Sequence, residues 1–407
     1  MIKRKQYLEK ITPFIGKPVI KVITGIRRCG KSTFLRMICD QLQEKGVKPG
    51  NIVLINKDSL EFDFIRNYHD LHQYVNKKFK NLKGEKFLFI DEVQEIESWE
   101  KAVAGFLADH TADLFITGSN SRLLSSELAT YISGRYIEFK IFPLTFSEFL
   151  QFRKVTEPHE TDVEFGLFMK YGGFPGIHHM DFDDEVIGQY ISALYNTILL
   201  KDVVAKNGLR DIVLLEKIAR FTADNCGNIT SSKKIADFLK SQKIKGSVDT
   251  VQSYLGMLTT AYIFFKANRF DIRGKRLLEV HEKYYTGDIG LRNNLIGFQK
   301  IEISGQLENI VYLELLSRGY TVNIGKYNDL EIDFIATKGN ERIYFQVAYL
   351  LTDGKTIDRE FGALEKIQDN YPKIVLSMDK FLNNSRNGIK WNNLTDFLMS
   401  SDGRSGI

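Results

Sequence analysis

The apolar residues of this chain follow two rhythms. Short β-branched or aromatic runs at 19–24, 51–56, 87–90 and 113–117 predict buried strands. Between them the spacing is helical. Phe34, Leu35, Ile38 and Leu42 share one face over 33–42, and Trp99, Val103 and Leu107 share another. Strands alternating with helices predict an α/β domain with a parallel sheet, and a further strand is expected over 136–141. Past residue 150 the pattern changes. Val186, Tyr190, Leu194 and Ile198 keep helix spacing within a helical stretch over 184–220. From 229 to 276 two short helices, capped by Ser231 or Ser232 and by Ser247, precede a β-hairpin. The last hundred residues read helix, three strands, helix, strand, at 301–316, 320–324, 331–335, 342–348, 358–369 and 373–377.

The connection after the first strand carries the clearest chemistry. Gly25-Ile26-Arg27-Arg28-Cys29-Gly30-Lys31-Ser32 fits the phosphate-binding pattern Gly-x-x-x-x-Gly-Lys-Ser/Thr, and it lies between a strand and a helix. In that setting backbone N–H groups at the helix start face an anion, and the helix dipole favours negative charge. The nine residues from Gly25 to Thr33 form the expected nucleotide-binding set. Lys31 would reach the β- and γ-phosphates, and the Ser32 hydroxyl would ligate Mg²⁺.

About 60 residues on, the run Phe87-Leu88-Phe89-Ile90 ends in Asp91-Glu92, the form of a Walker B strand. Asp91 at the strand tip can hold Mg²⁺, and Glu92 can polarise the water that attacks the γ-phosphate. The next strand ends in Thr117-Gly118-Ser119-Asn120-Ser121. Thr117, Ser119 or Asn120 can contact the γ-phosphate there, while Ser119 or Asn120 can equally cap a following helix. That helix is expected to begin near Arg122 and end at Gly134. Arg135 follows. It can stabilise the transferring phosphoryl group within the chain or across a subunit interface, or it can be an ordinary surface arginine.

Length and charge add limits. A chain of 407 residues implies two to four domains, and 43% hydrophobic with 26% charged residues is a globular composition. No apolar run approaches the roughly 20 residues of a membrane helix, and no signal-type core follows the N-terminus, so a cytoplasmic protein without membrane partners is expected. Cys29, Cys39 and Cys226 lack metal-ligand spacing, which argues against disulfides and zinc. Cys29 reads as a small residue suited to its turn, with a redox role as the alternative. The pairs His69/His72 and His178/His179 lack partner ligands and read as structural or exposed. The net charge is only +5, yet 229–276 holds ten Lys or Arg against three Asp. Two short helices followed by a hairpin is the order of a winged helix, so DNA is a candidate partner of this segment. Thr250, Gln252 and Ser253 would face bases, and Lys243, Lys245, Arg273, Lys275 and Arg276 the phosphates. The plainer reading is a solvated face on a packing module.

Taken together, Gly25 to Ser32, Phe87 to Glu92 and Thr117-Gly118-Ser119 resemble an AAA-type ATPase domain. The phrases Phe142 to Phe149, Tyr171-Gly172-Gly173-Phe174-Pro175 and Tyr284 to Leu291 resemble prokaryotic proteins that join such a domain to a C-terminal domain of unknown function. The C-terminal order, with Glu308, Asp333 and Gln346, resembles the restriction-endonuclease-like core. That resemblance implies a Mg²⁺ site with a lysine two positions past the last ligand. Here Gln346 replaces one acid, Ala348 stands where the lysine belongs, and Lys355 is too distant to be assumed a substitute. A binding scaffold with little or no nuclease activity is the expectation. The expected organisation is an ATPase domain at 1–150, a helical linker at 151–220, a winged-helix-like basic region at 221–298 and a nuclease-like α/β domain at 299–407. The expected function is Mg²⁺-dependent ATP hydrolysis coupled to a DNA- or protein-binding body. The alternatives are a nucleotide-gated switch with negligible turnover and an ATP-dependent nuclease. Homo-oligomers enter if Arg135 acts in trans.

Overall fold

The computed structural model describes residues 2–121, 132, 134–154, 160–298, 303–351, 353–380 and 385–400. The helix expected from Arg122 lies outside the described residues. The chain forms two compact units, Met1–Ile141 and Phe142–Ile407.

The first unit is built on five parallel strands: β1 (Ile20–Thr24), β2 (Ile52–Asn56), β3 (Phe87–Asp91), β4 (Asp113–Gly118) and β5 (Tyr136–Lys140). Their order is β2-β3-β4-β1-β5. Each falls within a residue of the span its apolar run implies, because strands covered on both faces need continuous apolar side chains. Helices Lys31–Glu44, Tyr68–Phe79 and Trp99–Ala108 supply apolar stripes, from Phe34, Leu71, Val75, Val103 and Phe106 among others. Phe89 and Phe115 stack with centroids 4.5 Å apart across β3 and β4. Lys21 interrupts the apolar run of β1 yet is fully buried, because Asp113 at the start of β4 pairs with its ammonium.

The second unit contains a nine-stranded sheet. Its strands are β6 (Ile229–Thr230), β7 (Phe264–Asp271), β8 (Arg276–Thr286), β9 (Thr321–Tyr327), β10 (Leu330–Lys338), β11 (Glu341–Val347), β12 (Lys373–Ser377), β13 (Ser385–Arg386) and β14 (Ile389–Asn393). The order is β13-β14-β12-β11-β10-β9-β7-β8-β6. Helices Ser232–Ser241 and Val248–Thr260 precede the β7–β8 hairpin, with Ser231 and Ser247 as their side-chain caps. The hairpin is not a free arm. β7 pairs in parallel with β9, Arg269 opposite Ile324, so segments that the sequence divides at 298 share one sheet. Helix Ile303–Ser317, three strands, helix Gly354–Glu365 and β12 follow in the expected order. Gly354–Glu365 starts four residues earlier than its apolar spacing implies, because Asp353 caps it by accepting from the Thr356 N–H at 2.8 Å. The helical stretch over 184–220 is divided into helix Asp184–Thr197, a π-helix at Ile198–Ala205 and helix Ile212–Asp224. Among the described residues no helix is long and apolar enough to cross a membrane.

The three phrases that gave the family resemblance meet at one joint. Asp288 is buried, and its carboxylate accepts from Gly173 N–H at 2.7 Å and Gly290 N–H at 2.8 Å. Gly173 O in turn accepts from Leu144 N–H at 2.7 Å. Gly172 has φ +76°, and a Cβ there would lie 2.0 Å from Asp288 Oδ1, so neither the backbone nor the space admits a side chain. Burial pushes the Asp288 carboxyl up to about 6, against three backbone N–H groups that favour its anion. The folded state therefore holds a proton that the unfolded chain has released between about pH 4 and 6. Stability falls as pH rises through that window. The gap between 3.8 and about 6 is worth roughly 3 kcal/mol. In urea unfolding followed from pH 4 to 7, Asp288→Asn should lose this downward slope, whatever its absolute stability.

Candidate functional site

Parallel pairing puts the tips of β1, β3 and β4 on one edge of the first sheet. Thr24 lies opposite Gly118, Ile90 opposite Ile116 and Asn56 opposite Asp91. The loop from Gly25 to Gly30 leaves that edge and enters helix Lys31–Glu44. Gly25 has φ +144°, and a Cβ there would sit 2.1 Å from Ile141 O, where the chain leaves β5. Gly30 takes a left-handed conformation at the N-cap and offers no capping side chain. The first N–H groups of this helix have no intrahelical acceptor and face outward to any anion placed there.

Lys31 is buried, and its ammonium donates to Gly25 O at 3.0 Å and Ile26 O at 3.2 Å. Its Nζ lies 3.9 Å from Glu92 Oε1. Ser32 hydrogen-bonds through its side chain to Asp91. Thr117 is fully buried. Its hydroxyl donates to Asp91 Oδ1 at 2.5 Å and accepts from Glu92 N–H at 3.0 Å. Burial raises the Asp91 carboxyl above its ordinary range, opposed by the Ser32 and Thr117 hydrogen bonds. Glu92 takes φ +52°, ψ +52°, costly for a residue with a side chain. That turn breaks the strand's alternation, so consecutive carboxylates can serve one site.

Of the predicted residues, Gly25, Gly30, Lys31, Ser32, Asp91, Glu92 and Thr117 come together. Ile26 is buried, Arg27 half-buried, and Arg28 (φ +68°) and Thr33 are exposed on the loop and first helical turn. Cys29 is buried, and burial pushes its thiol pKa up, away from the reactive thiolate. Of the polar candidates at the end of β4, the Thr117 hydroxyl contacts Asp91, and Ser119 and Asn120 are buried just beyond it. His178 packs among Phe149, Phe152 and Phe182, and burial lowers its pKa to about 4.

Arg135 requires a correction. Its carbonyl accepts from Ile20 N–H at 2.9 Å, at the start of β1, and Tyr136 pairs with Ile20. The phosphate-binding loop lies past Thr24, four residues and about 13 Å farther along the sheet. Arg135 is at the opposite edge and cannot serve the loop of its own chain. Of the three roles the sequence left open, parallel pairing of β5 with β1 removes the one within the chain.

Two contacts escaped the sequence. Arg4 Nη1 donates to Cys29 O at 3.3 Å and stacks its guanidinium on Tyr7 at 4.4 Å. Gln94 Nε2 donates to Glu92 Oε2 at 2.5 Å. Arg4 lies in a basic N-terminal run with no motif. Gln94 could have been suspected from its place two residues past Glu92.

The donor set fits a hard cation and a polyphosphate. One hydroxyl, one carboxylate and an uncapped helix start give oxygen ligands and anion donors, while phosphate oxygens and water would complete the cation's shell. Thr117→Val would strand two buried polar groups at once, Asp91 Oδ1 and Glu92 N–H. It should cost about 1–3 kcal/mol in chemical denaturation. A loss no larger than that of an exposed Thr→Val control would show that the bridge adds nothing.

Comparison with known proteins identifies the domain that carries these residues. Residues 17–150 match the AAA domain family, and 164–302 match a domain of unknown function, DUF8612. An uncharacterized protein of Haemophilus influenzae is 37% identical over 400 residues, covering 98% of this chain and 99% of that protein. The uncharacterized protein MJ1544 of Methanocaldococcus jannaschii is 33% identical, covering 85% of this chain and 78% of its own length. Among solved structures, the Walker-type ATPase PABY2304 of Pyrococcus abyssi aligns with a TM-score of 0.46 at 17% identity, over 72% of this chain and 96% of that one.

Proposed function

The chain belongs to the family of its long relatives from H. influenzae and M. jannaschii, with an AAA-type ATPase domain at its N-terminus, and we propose that it binds and hydrolyses Mg²⁺-ATP around Lys31. The observation that carries this is the convergence of Lys31 with the linked Ser32, Asp91, Glu92 and Thr117 at one sheet edge, the Lys31 ammonium 3.9 Å from Glu92. When bound, Mg²⁺-ATP supplies the phosphoryl group and part of the charge that neutralises it. Lys31 moves its ammonium from the Gly25 and Ile26 carbonyls to the β- and γ-phosphates. Ser32 and Asp91 hold the metal. Glu92 takes the proton from the water whose oxygen bonds to the γ-phosphorus as the bridging oxygen leaves with ADP. Thr117 fixes Asp91 and the Glu92 backbone, Arg4 fixes the loop, and Gln94 orients the base. Arg135 remains a finger only in trans, in a homo-oligomer. The reading places the protein in the cytoplasm.

Lys31→Ala should abolish binding of a fluorescent ATP analogue. Glu92→Gln should keep that binding and lower phosphate release by about 100-fold or more. Normal turnover by Glu92→Gln would remove Glu92 as the base. Negligible turnover by the unmodified protein, with and without DNA, would favour the nucleotide-gated switch.

The second unit is read as the body that receives the nucleotide state, a winged-helix-like module on a nuclease-like scaffold. DNA binding is supported by exposure. Lys243, Lys245, Arg273, Lys275 and Arg276 are all exposed, as are Gln252 and Ser253 on helix Val248–Thr260. Thr250 is half-buried, its hydroxyl 2.8 Å from the capping Ser247. Lys243→Glu with Lys245→Glu should weaken duplex binding by about tenfold and flatten its salt dependence. An unchanged salt slope in a gel-shift titration would assign these lysines to a solvated face.

A further inference from the structure

The second unit holds a buried cluster of charge that ATP hydrolysis does not use. Glu308 comes from helix Ile303–Ser317, Glu331 and Asp333 from β10, Gln346 from β11, and Lys283 and Tyr285 from β8. Lys283 is 2% exposed. Its Nζ donates to Glu308 Oε2 at 3.1 Å and lies 2.7 Å from Glu331 Oε1. Tyr285 O–H donates to the same Glu308 oxygen at 3.1 Å. Asp333 Oδ2 accepts from Val347 N–H at 2.8 Å, and Gln346 Oε1 accepts from Asp333 N–H at 3.4 Å.

We propose that the Lys283 ammonium occupies the cation position of the Glu308–Asp333 cluster and thereby closes this nuclease-like centre to divalent metal. Glu308, Glu331 and Asp333 each already face a protein donor through one oxygen, as does the Gln346 amide oxygen. Mg²⁺ or Mn²⁺ would need several oxygens converging at about 2.1 Å, and it would stand beside a buried positive charge. The lysine backbone is fixed between two strands, with Lys283 opposite Ala267 of β7 and Ile229 of β6. The ammonium does not give up its partners, since an unpaired buried charge costs several kcal/mol. Position 348 of the nuclease-like arrangement is alanine, and the positive charge arrives from a different strand. A catalytic lysine assists a water beside a bound metal, whereas this one sits on the carboxylates themselves. The inference goes beyond the ATPase reading and does not depend on it.

Mn²⁺ binding to the full chain, read by the loss of the free-ion electron paramagnetic resonance signal without nucleotide, tests it. An Asp91→Asn background removes the Walker aspartate from the measurement. In that background the protein should bind no Mn²⁺ at submillimolar concentration. Adding Lys283→Met should create one site at least about tenfold tighter, and a further Asp333→Asn should erase it. Binding of one Mn²⁺ with Lys283 in place, lost on Asp333→Asn, overturns the proposal. So does a folded Lys283→Met protein that binds none, or plasmid cleavage by the unmodified protein with Mn²⁺ that Lys283→Met abolishes. If Lys283→Met does not fold, Lys283→Met with Glu308→Gln removes the ammonium together with one of its carboxylate partners and should restore the fold. Failure of that pair also overturns the proposal.

Discussion

Strand β4 lies between β1 and β3, and much of the first unit follows from that placement. Parallel pairing sets the tips of all three strands on one edge, so the loop after β1 and the carboxylates after β3 are one strand apart. A single hydroxyl on the middle strand fixes the carboxylate side of that gap. Thr117 at the end of β4 holds the Asp91 carboxylate and the Glu92 N–H together. In a fully buried site each of these groups would cost free energy without a partner, so the bridge fixes geometry as well as adding stability. The strained turn at Glu92 is tolerated because the surroundings on both sides determine it.

The second unit solves a related problem with charge. Asp288 is buried, and backbone N–H groups of two distant glycine-containing phrases hold its carboxylate. The Glu308 cluster uses the other solution, an ammonium delivered from an interior strand. Burial alone would lower the Lys283 pKa, but the carboxylates of Glu308, Asp333 and Glu331 outweigh it and raise it. Both arrangements join segments far apart in sequence. The first ties 142–145 and 171–175 to 284–291. The second ties the hairpin to the C-terminal helix and strands. That is the energetic side of the shared nine-stranded sheet, since peeling the hairpin away would expose an uncompensated buried charge on either side.

Much was legible in the sequence where local physics decides. The runs at 19–24, 87–90 and 113–117 form strands because only continuous apolar side chains suit a sheet covered on both faces. The glycines at 25 and 30 mark the loop because backbone passes within contact of one and the other takes a left-handed turn. Ser231 and Ser247 cap their helices as their hydroxyls imply. Where local physics is silent, the reading slipped. The helix starting at Gly354 took its boundary from a cap rather than from its apolar face. β14 and helix Leu394–Met399 fall outside the expected elements, because the alternation at Ile389-Lys390-Trp391-Asn392 is too short to announce a strand.

By itself, then, the sequence determined the element types, the phosphate loop and the two carboxylates, since these depend on side chains within a few residues of one another. The tertiary structure alone decided which strand edge each residue occupies and who its partner is. It put Arg135 at the far edge of the sheet, set the Thr117 hydroxyl against Asp91, and brought Arg4 and Gln94 to the loop and the base. It also set Lys283 among acids that lie 25 to 50 residues further along the chain. Those outcomes rest on strand order and register, which arise from long-range pairing and leave no local trace in the sequence.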